Sequence, residues 1–164
     1  MLIACDDQGV TGLWFEGQKY FAAGLDTTQI KQDHPICVST KQWLDIYFTG
    51  NEPYFMPPLH CIGTPFQLAV WNHLMRIPFG NTTTYGELSR IVAEDLRLPH
   101  MSPQAIGGAV GHNKIAILIP CHRVVGANGS LTGYAGGIEK KTRLLKLEGV
   151  DVERFKIPIH GTAR

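Results

Sequence analysis

The stretch IAILIPCHRVV, residues 115 to 125, sets Cys121 beside His122 directly after five apolar residues and a proline. A cysteine and a histidine in this setting admit three readings: a nucleophilic thiol with its base, half of a metal site, or a small hydrophobe in a turn. The apolar run predicts a strand or extended segment buried on both sides. Pro120 suits the first turn of a helix, which would place Cys121 near a helical N-terminus, where backbone N–H groups favour a thiolate. Neighbouring residues point to opposite faces of a strand and about 100° apart on a helix. His122 is therefore not expected to touch the Cys121 sulfur, and a bridging water would carry the proton.

A histidine acting as base needs a third group to orient it and to stabilise its charged form. GIEKKTRLLKLEGV offers two carboxylates, Glu139 and Glu148. Glu139 sits at the head of a helical stretch, where an acid complements the dipole and needs no other explanation. Glu148 follows Leu144, Leu145 and Leu147 near the helix end, where negative charge is unfavourable, and is the better candidate. Between the cysteine and these acids lies GANGSLTGYAGG, a loop with five glycines that is able to fold over a pocket and insert Tyr134.

The elements that position these residues divide at the proline-rich segment NEPYFMPPLH. Before it, LIAC, GVTGLWFEG and KYFAAGL read as strands of a small antiparallel sheet, and ICVSTKQWLDIYFTG reads as a helix ending at Gly50. After it come short helices. Thr64 and Pro65 open PFQLAVWNHLMRI with an apolar stripe of Phe66, Val70, Leu74 and Met75. Thr84 and Glu87 form a capping-box pattern opening YGELSRIVAEDL, with Leu88, Ile91, Val92 and Leu96 as its buried face. Ser102 and Pro103 open QAIGGAVGHN, whose many glycines imply a reason such as close approach of another backbone. Two short helices of this kind match a helix-turn-helix. The predicted organisation is an α+β chain with an N-terminal domain at 1–58 and a C-terminal domain at 59–164.

Composition narrows the class. With 44% hydrophobic and 18% charged residues the 164-residue chain is neither disordered nor highly charged. No apolar run is long enough for a membrane span, and the acidic start is unlike a secretory signal, so a soluble intracellular protein is expected. Residues 1–58 hold three lysines against seven acids, a net of −4, leaving 12 basic and 7 acidic residues, net +5, in 59–164. That asymmetry points the second half towards a polyanion. Cys5, Cys37, Cys61 and Cys121 show no paired spacing, so reduced thiols are expected, and these cysteines with His34 and His60 lack finger-like metal spacing.

In order and spacing, GTPFQLAVW, IPFGNTTTYGEL, AIGGAVGHN, IPCHRVV, TGYAGG and LLKLEG resemble the O6-alkylguanine-DNA alkyltransferases, over residues 63 to 149. The resemblance implies a small ribonuclease-H-like N-terminal domain of antiparallel sheet plus helix, and a mainly helical C-terminal domain with a winged-helix-like helix-turn-helix. It implies a cytoplasmic monomer that needs no cofactor or metal and meets double-stranded DNA, not a membrane. The activity implied by the resemblance is to flip an O6-alkylguanine, and by extension an O4-alkylthymine, out of the duplex and move the alkyl group irreversibly onto the protein's own cysteine. By position, Cys121 resembles the acceptor, His122 the water-relayed base and Glu148 its orienting acid. Asn113 resembles the asparagine that ties the recognition helix to the cysteine turn, and Tyr85 the tyrosine that assists base rotation and proton donation. Gln104, Ala105, Gly108, Arg123, Val124, Tyr134, Ala135 and Gly136 resemble the DNA- and base-binding set.

One departure stands out: Gln104 occupies the position where many members have an arginine that enters the base stack. Glutamine fills the gap but lacks the charge and the cation–π attraction. Ala135, serine in some relatives, implies a small-walled pocket open to bulkier alkyl groups. Two rivals from other classes remain at this level: a Cys-His hydrolase with Glu148 as third member, and a non-catalytic DNA-binding module. No additional sensor domain is expected.

Overall fold

Threonines and a serine placed just ahead of prolines or acids set where the helices of the second half begin. In the computed structural model, which describes residues 1–25 and 33–157, α2 spans Pro65–Leu74 and α3 spans Tyr85–Asp95. The Thr64 and Thr84 side chains each accept from the backbone N–H three residues on, and Gln67 and Glu87 reach back to close capping boxes. α4, Pro103–Gly111, starts from Ser102 accepting the Ala105 N–H. α1 covers Pro35–Tyr47 and α5 covers Ile138–Leu147. Two strand pairs accompany these helices among the described residues. β1, Leu2–Cys5, pairs antiparallel with β2, Val10–Trp14; β3, Thr83–Thr84, pairs parallel with β4, Val124–Val125.

The larger of two apolar clusters among the described residues runs across residue 58, the smaller gathering Val125, Leu131, Leu145 and Val150. Leu13, Trp43, Leu44 and Tyr47 from the first part lie in one cluster with Val70, Leu74, Leu88, Val92, Ile106 and Ile119 from the second. The backbones join as well: Leu13 N–H donates to the Lys114 carbonyl at 2.8 Å, and Ala116 N–H to the Leu13 carbonyl at 2.9 Å. The proline-rich segment is not free-standing. It lies along β2, with the Val10 N–H on the Pro58 carbonyl and the His60 N–H on the Val10 carbonyl. A Cβ on Gly9 would come within 2.7 Å of backbone atoms of Pro58 to His60, which is why no side chain stands there.

Several sequence expectations are corrected. KYFAAGL does not form a strand: residues 19–24 make consecutive turns, with positive φ at Tyr20 and Ala22. IAILI is not an extended strand either. Isolated bridges join Ile115 to Leu13 and Ala116 to Ile119 around a turn in which Ile117 takes φ of 68°, an unfavourable conformation for a β-branched residue. All five residues are nonetheless buried, since a tight loop enclosed by helices hides apolar side chains as a central strand does. Met75, Ile91 and Leu96, expected on buried faces, are 38%, 48% and 39% exposed; Met75 and Leu96 are the C-cap residues of α2 and α3. Cys5 and Cys37, expected as free thiols, form a disulfide joining β1 to α1. Their separation of 32 residues hides from the sequence the packing that brings the Cα atoms to 6.3 Å.

No helix among the described residues is long and apolar enough to cross a membrane. The Thr84 capping box supports the helix that also carries Tyr85, so a Thr84→Ala change is expected to lower stability by about 1 kcal/mol in urea denaturation.

Candidate active site

Cys121 is 6% exposed at the start of a short 3-10 turn, Cys121–Arg123, that follows Pro120. Its sulfur receives the Asn113 side-chain amide, with Nδ2 at 3.1 Å from Sγ. The same Nδ2 donates to the Ile119 carbonyl at 2.9 Å, while Asn113 Oδ1 accepts the Ile115 N–H at 2.9 Å. One asparagine thus closes the loop from the end of α4 to the cysteine. Burial raises the thiol above its ordinary value, against the pull of the Asn113 amide, the Lys141 ammonium and the turn's own N–H groups. The turn anticipated from Pro120 exists, but desolvation outweighs it and Cys121 rests as a thiol.

His122 is fully buried, and its Nε2 lies 2.6 Å from Glu148 Oε1. Glu148 sits at the C-cap of α5 and receives five hydrogen bonds. Oε1 accepts from His122, from the Tyr47 hydroxyl at 2.7 Å and from an Arg123 terminal nitrogen at 3.0 Å. Oε2 accepts Arg123 Nε at 2.8 Å and the Gly80 N–H at 3.1 Å. Burial alone would raise this carboxyl, but the His122 and Arg123 bonds overcome it and hold it at about 2. An ionised acceptor at 2.6 Å fixes the His122 proton on Nε2. Burial lowers the imidazole's proton affinity, so the ring rests neutral. Nδ1 has no protein partner among the described residues and is the nitrogen free to take a proton.

Lys141 is completely buried in α5, donating from Nζ to the Val124 carbonyl at 2.5 Å and the Thr132 carbonyl at 2.7 Å. Burial lowers it to about 8, and the nearby Cys121 works the other way. Its ammonium clamps the cysteine turn to the glycine loop and supplies positive charge near the sulfur.

A family model described as the DNA-binding domain of 6-O-methylguanine DNA methyltransferase matches residues 65–150. Over 158 residues, 96% of this chain and 83% of the relative, the sequence is 38% identical to the inducible methylated-DNA–protein-cysteine methyltransferase of Bacillus subtilis. The chain belongs to the methylated-DNA–protein-cysteine methyltransferase family. A Methanosarcina acetivorans methyltransferase is 41% identical over 150 residues, 91% of each chain. The crystal structure of Mycobacterium tuberculosis OGT in complex with DNA matches at a TM-score of 0.73 and 38% identity, covering 93% of this chain and 86% of that one.

Near the thiol of this methyltransferase stand Asn113, His122, Tyr85 and Tyr134, with Glu148 behind the imidazole. Tyr85, at the start of α3, points its hydroxyl to the Thr132 and Gly133 carbonyls at 3.4 and 3.3 Å, and burial raises its pKa. Gly133 has φ of 70°, and a Cβ there would sit 2.7 Å from that hydroxyl, so the glycine makes room for the tyrosine. The Tyr134 ring meets the His122 ring edge-on at 6.4 Å. Its buried hydroxyl has no protein partner among the described residues. Ala135 and Gly136 follow in the same loop, the former accepting the Lys19 N–H. Glu139 is exposed and pairs with Arg143 rather than joining the site.

Gln104, Ala105 and Gly108 are exposed on α4. The glycines of this helix do not accommodate a neighbouring backbone of this chain: Cβ atoms on Gly108 and Gly111 would meet nothing within 4 Å, and one on Gly107 only the Tyr85 ring. Arg123, expected to face DNA, is instead 8% exposed and turned inward, onto Glu148 and the Ile77 carbonyl. The reason is local, since a buried carboxylate needs a fixed cation. Val124 is fully buried and paired with Thr83.

Sequence reasoning did not single out Tyr47, Lys141 or Gly80. Lys141 carried a signal: it falls three and four positions before Leu144 and Leu145, on the apolar face of α5.

Removing the Glu148 charge leaves Arg123 buried and unpaired. Glu148→Gln is expected to cost about 3–5 kcal/mol in urea denaturation at neutral pH. Because the folded carboxyl is depressed from 4.5 to about 2, its contribution is complete above the upper value and lost as pH falls towards the lower. The gap between wild type and variant should therefore close across that window.

Proposed function

We propose that this chain repairs alkylated DNA by direct reversal, moving the alkyl group from O6 of a flipped-out guanine, or O4 of thymine, irreversibly to Cys121. The observation that carries this reading is the buried Cys121 thiol beside a neutral His122 whose Nε2 is committed to Glu148 and whose Nδ1 is free. In the proposed step, the thiol proton passes through a water to His122 Nδ1, and Glu148 stabilises the imidazolium. The thiolate attacks the alkyl carbon, a C–S bond forms, and the C–O bond breaks with its electron pair on the base. Tyr85 gives its hydroxyl proton or hydrogen bond to the developing anion; its two long contacts to carbonyls are readily exchanged. The product is a thioether, which mild hydrolysis does not open, so each molecule acts once. No cofactor enters this scheme.

Duplex DNA is the proposed partner, read by a winged-helix-like unit with α3 as first helix and α4 as recognition helix. Two features support it: the open, side-chain-poor face of Gly108 and Gly111, and the net positive charge after residue 58. Gln104, two positions into α4, is placed to fill the space a flipped base leaves. We infer a ribonuclease-H-like unit at 1–58 and an alkyltransferase unit at 59–164 that share one apolar cluster; the family match over 65–150 supports the second unit. A cytoplasmic monomer is the corresponding setting.

Incubation with duplex bearing O6-methylguanine should add one methyl to the peptide holding Cys121, in stoichiometric amount and without turnover, as read by mass spectrometry. Catalytic release of ester or amide products would instead favour a Cys-His hydrolase. A Gln104→Arg variant should bind alkylated duplex several-fold more tightly in anisotropy titrations, with the log–log salt slope steeper by about 0.9. Unchanged affinity and slope would remove Gln104 from the DNA face.

A further inference from the structure

Tyr47, the last residue of α1, lies outside the segment matched by the family model and 75 residues before His122, yet its hydroxyl ends inside the site. The hydroxyl donates to Glu148 Oε1 at 2.7 Å and stands 3.4 Å from His122 Nε2. The residue is fully buried. Its ring is fixed by a near-parallel stack on Trp43 at 5.2 Å and by edge contacts with Phe48 and Phe79. A packed core tyrosine needs no such arrangement, because its hydroxyl is satisfied by any carbonyl or by water. Here it competes with the imidazole for one carboxylate oxygen.

That competition has a direction. A carboxylate offers about four lone-pair sites, and five donors share those of Glu148. Each added donor draws electron density from the oxygen and weakens its hold on the others. The Tyr47 hydroxyl, sharing Oε1 with His122, limits how strongly Glu148 stabilises an imidazolium. We propose that Tyr47 is a positioning residue of the alkyl transfer, a donor from α1 that tunes the proton affinity of His122 through their common acceptor. Other groups set the background: Arg123 and Lys141 oppose a charged imidazole, Glu148 favours it, and the Tyr134 ring stands edge-on to it. Burial of the Tyr47 hydroxyl keeps it a protonated donor throughout.

The inference rests on the alkyl-transfer reading, but its primary readout does not. Tyr47→Phe keeps the ring and removes only the donor. By NMR, the His122 imidazole of this variant should titrate at higher pH than in wild type. If wild type methylates Cys121, the acid limb of its single-turnover rate should move the same way, and transfer on that limb should fall about three- to tenfold. Fluorotyrosine placed at position 47 is a stronger donor and should move both in the opposite direction. Trp43→Phe, which loosens the packing but spares the hydroxyl, should leave both in place. Superimposable titrations for wild type and Tyr47→Phe would overturn the proposal, as would a Trp43→Phe shift matching that of Tyr47→Phe. Should Tyr47→Phe fail to fold, the fluorotyrosine shift alone decides. Absence of methyl transfer by wild type would overturn the alkyl-transfer reading while leaving the imidazole titration to judge Tyr47.

Discussion

Burying one carboxylate costs several kcal/mol unless fixed donors replace the water it gave up. Glu148 is 5% exposed and ionised, and its five donors come from separate parts of the chain: α1, the turn after α2, and the cysteine turn itself. None of those donors can be placed without the packing of the segments that bear them. The charge therefore demands the tertiary arrangement, and the arrangement in turn delivers His122 in one tautomer next to the thiol. Asn113 and Lys141 do for the sulfur's surroundings what Arg123 does for the carboxylate, tying backbone carbonyls of distant loops to one point.

Much of this was legible in the residues. The caps at Thr64, Thr84 and Ser102 are decided within four residues, so the helices they begin were readable from local chemistry. Glu148 was legible because it is misplaced locally: an acid at a helix C-terminus has to be explained by something elsewhere. The strand expected over IAILI failed because an apolar run records burial, not backbone shape. Arg123 was read as a DNA contact and Tyr47 was passed over because their partner, Glu148, lies 25 and 101 residues away. The same distance problem hid the Cys5–Cys37 bond.

The resting thiol shows how the opposing terms settle. A shallow turn offers backbone N–H groups to sulfur, and an ammonium and an amide stand near, yet desolvation prevails. A permanent thiolate would be open to oxidation and to stray electrophiles, whereas a thiol deprotonated by its neighbour becomes reactive only when a proton acceptor is engaged. Burial here works as restraint, and the imidazole as its release.

The glycines of α4 have a further consequence. A surface of backbone alone has no rotamers to immobilise, so a partner lying against Gly108 and Gly111 meets none of the roughly 0.5–1.5 kcal/mol ordering cost of each long side chain. It also carries no donors or acceptors by which to prefer one base over another. A polymer laid against such a surface would be held by its shape and backbone and not by its sequence.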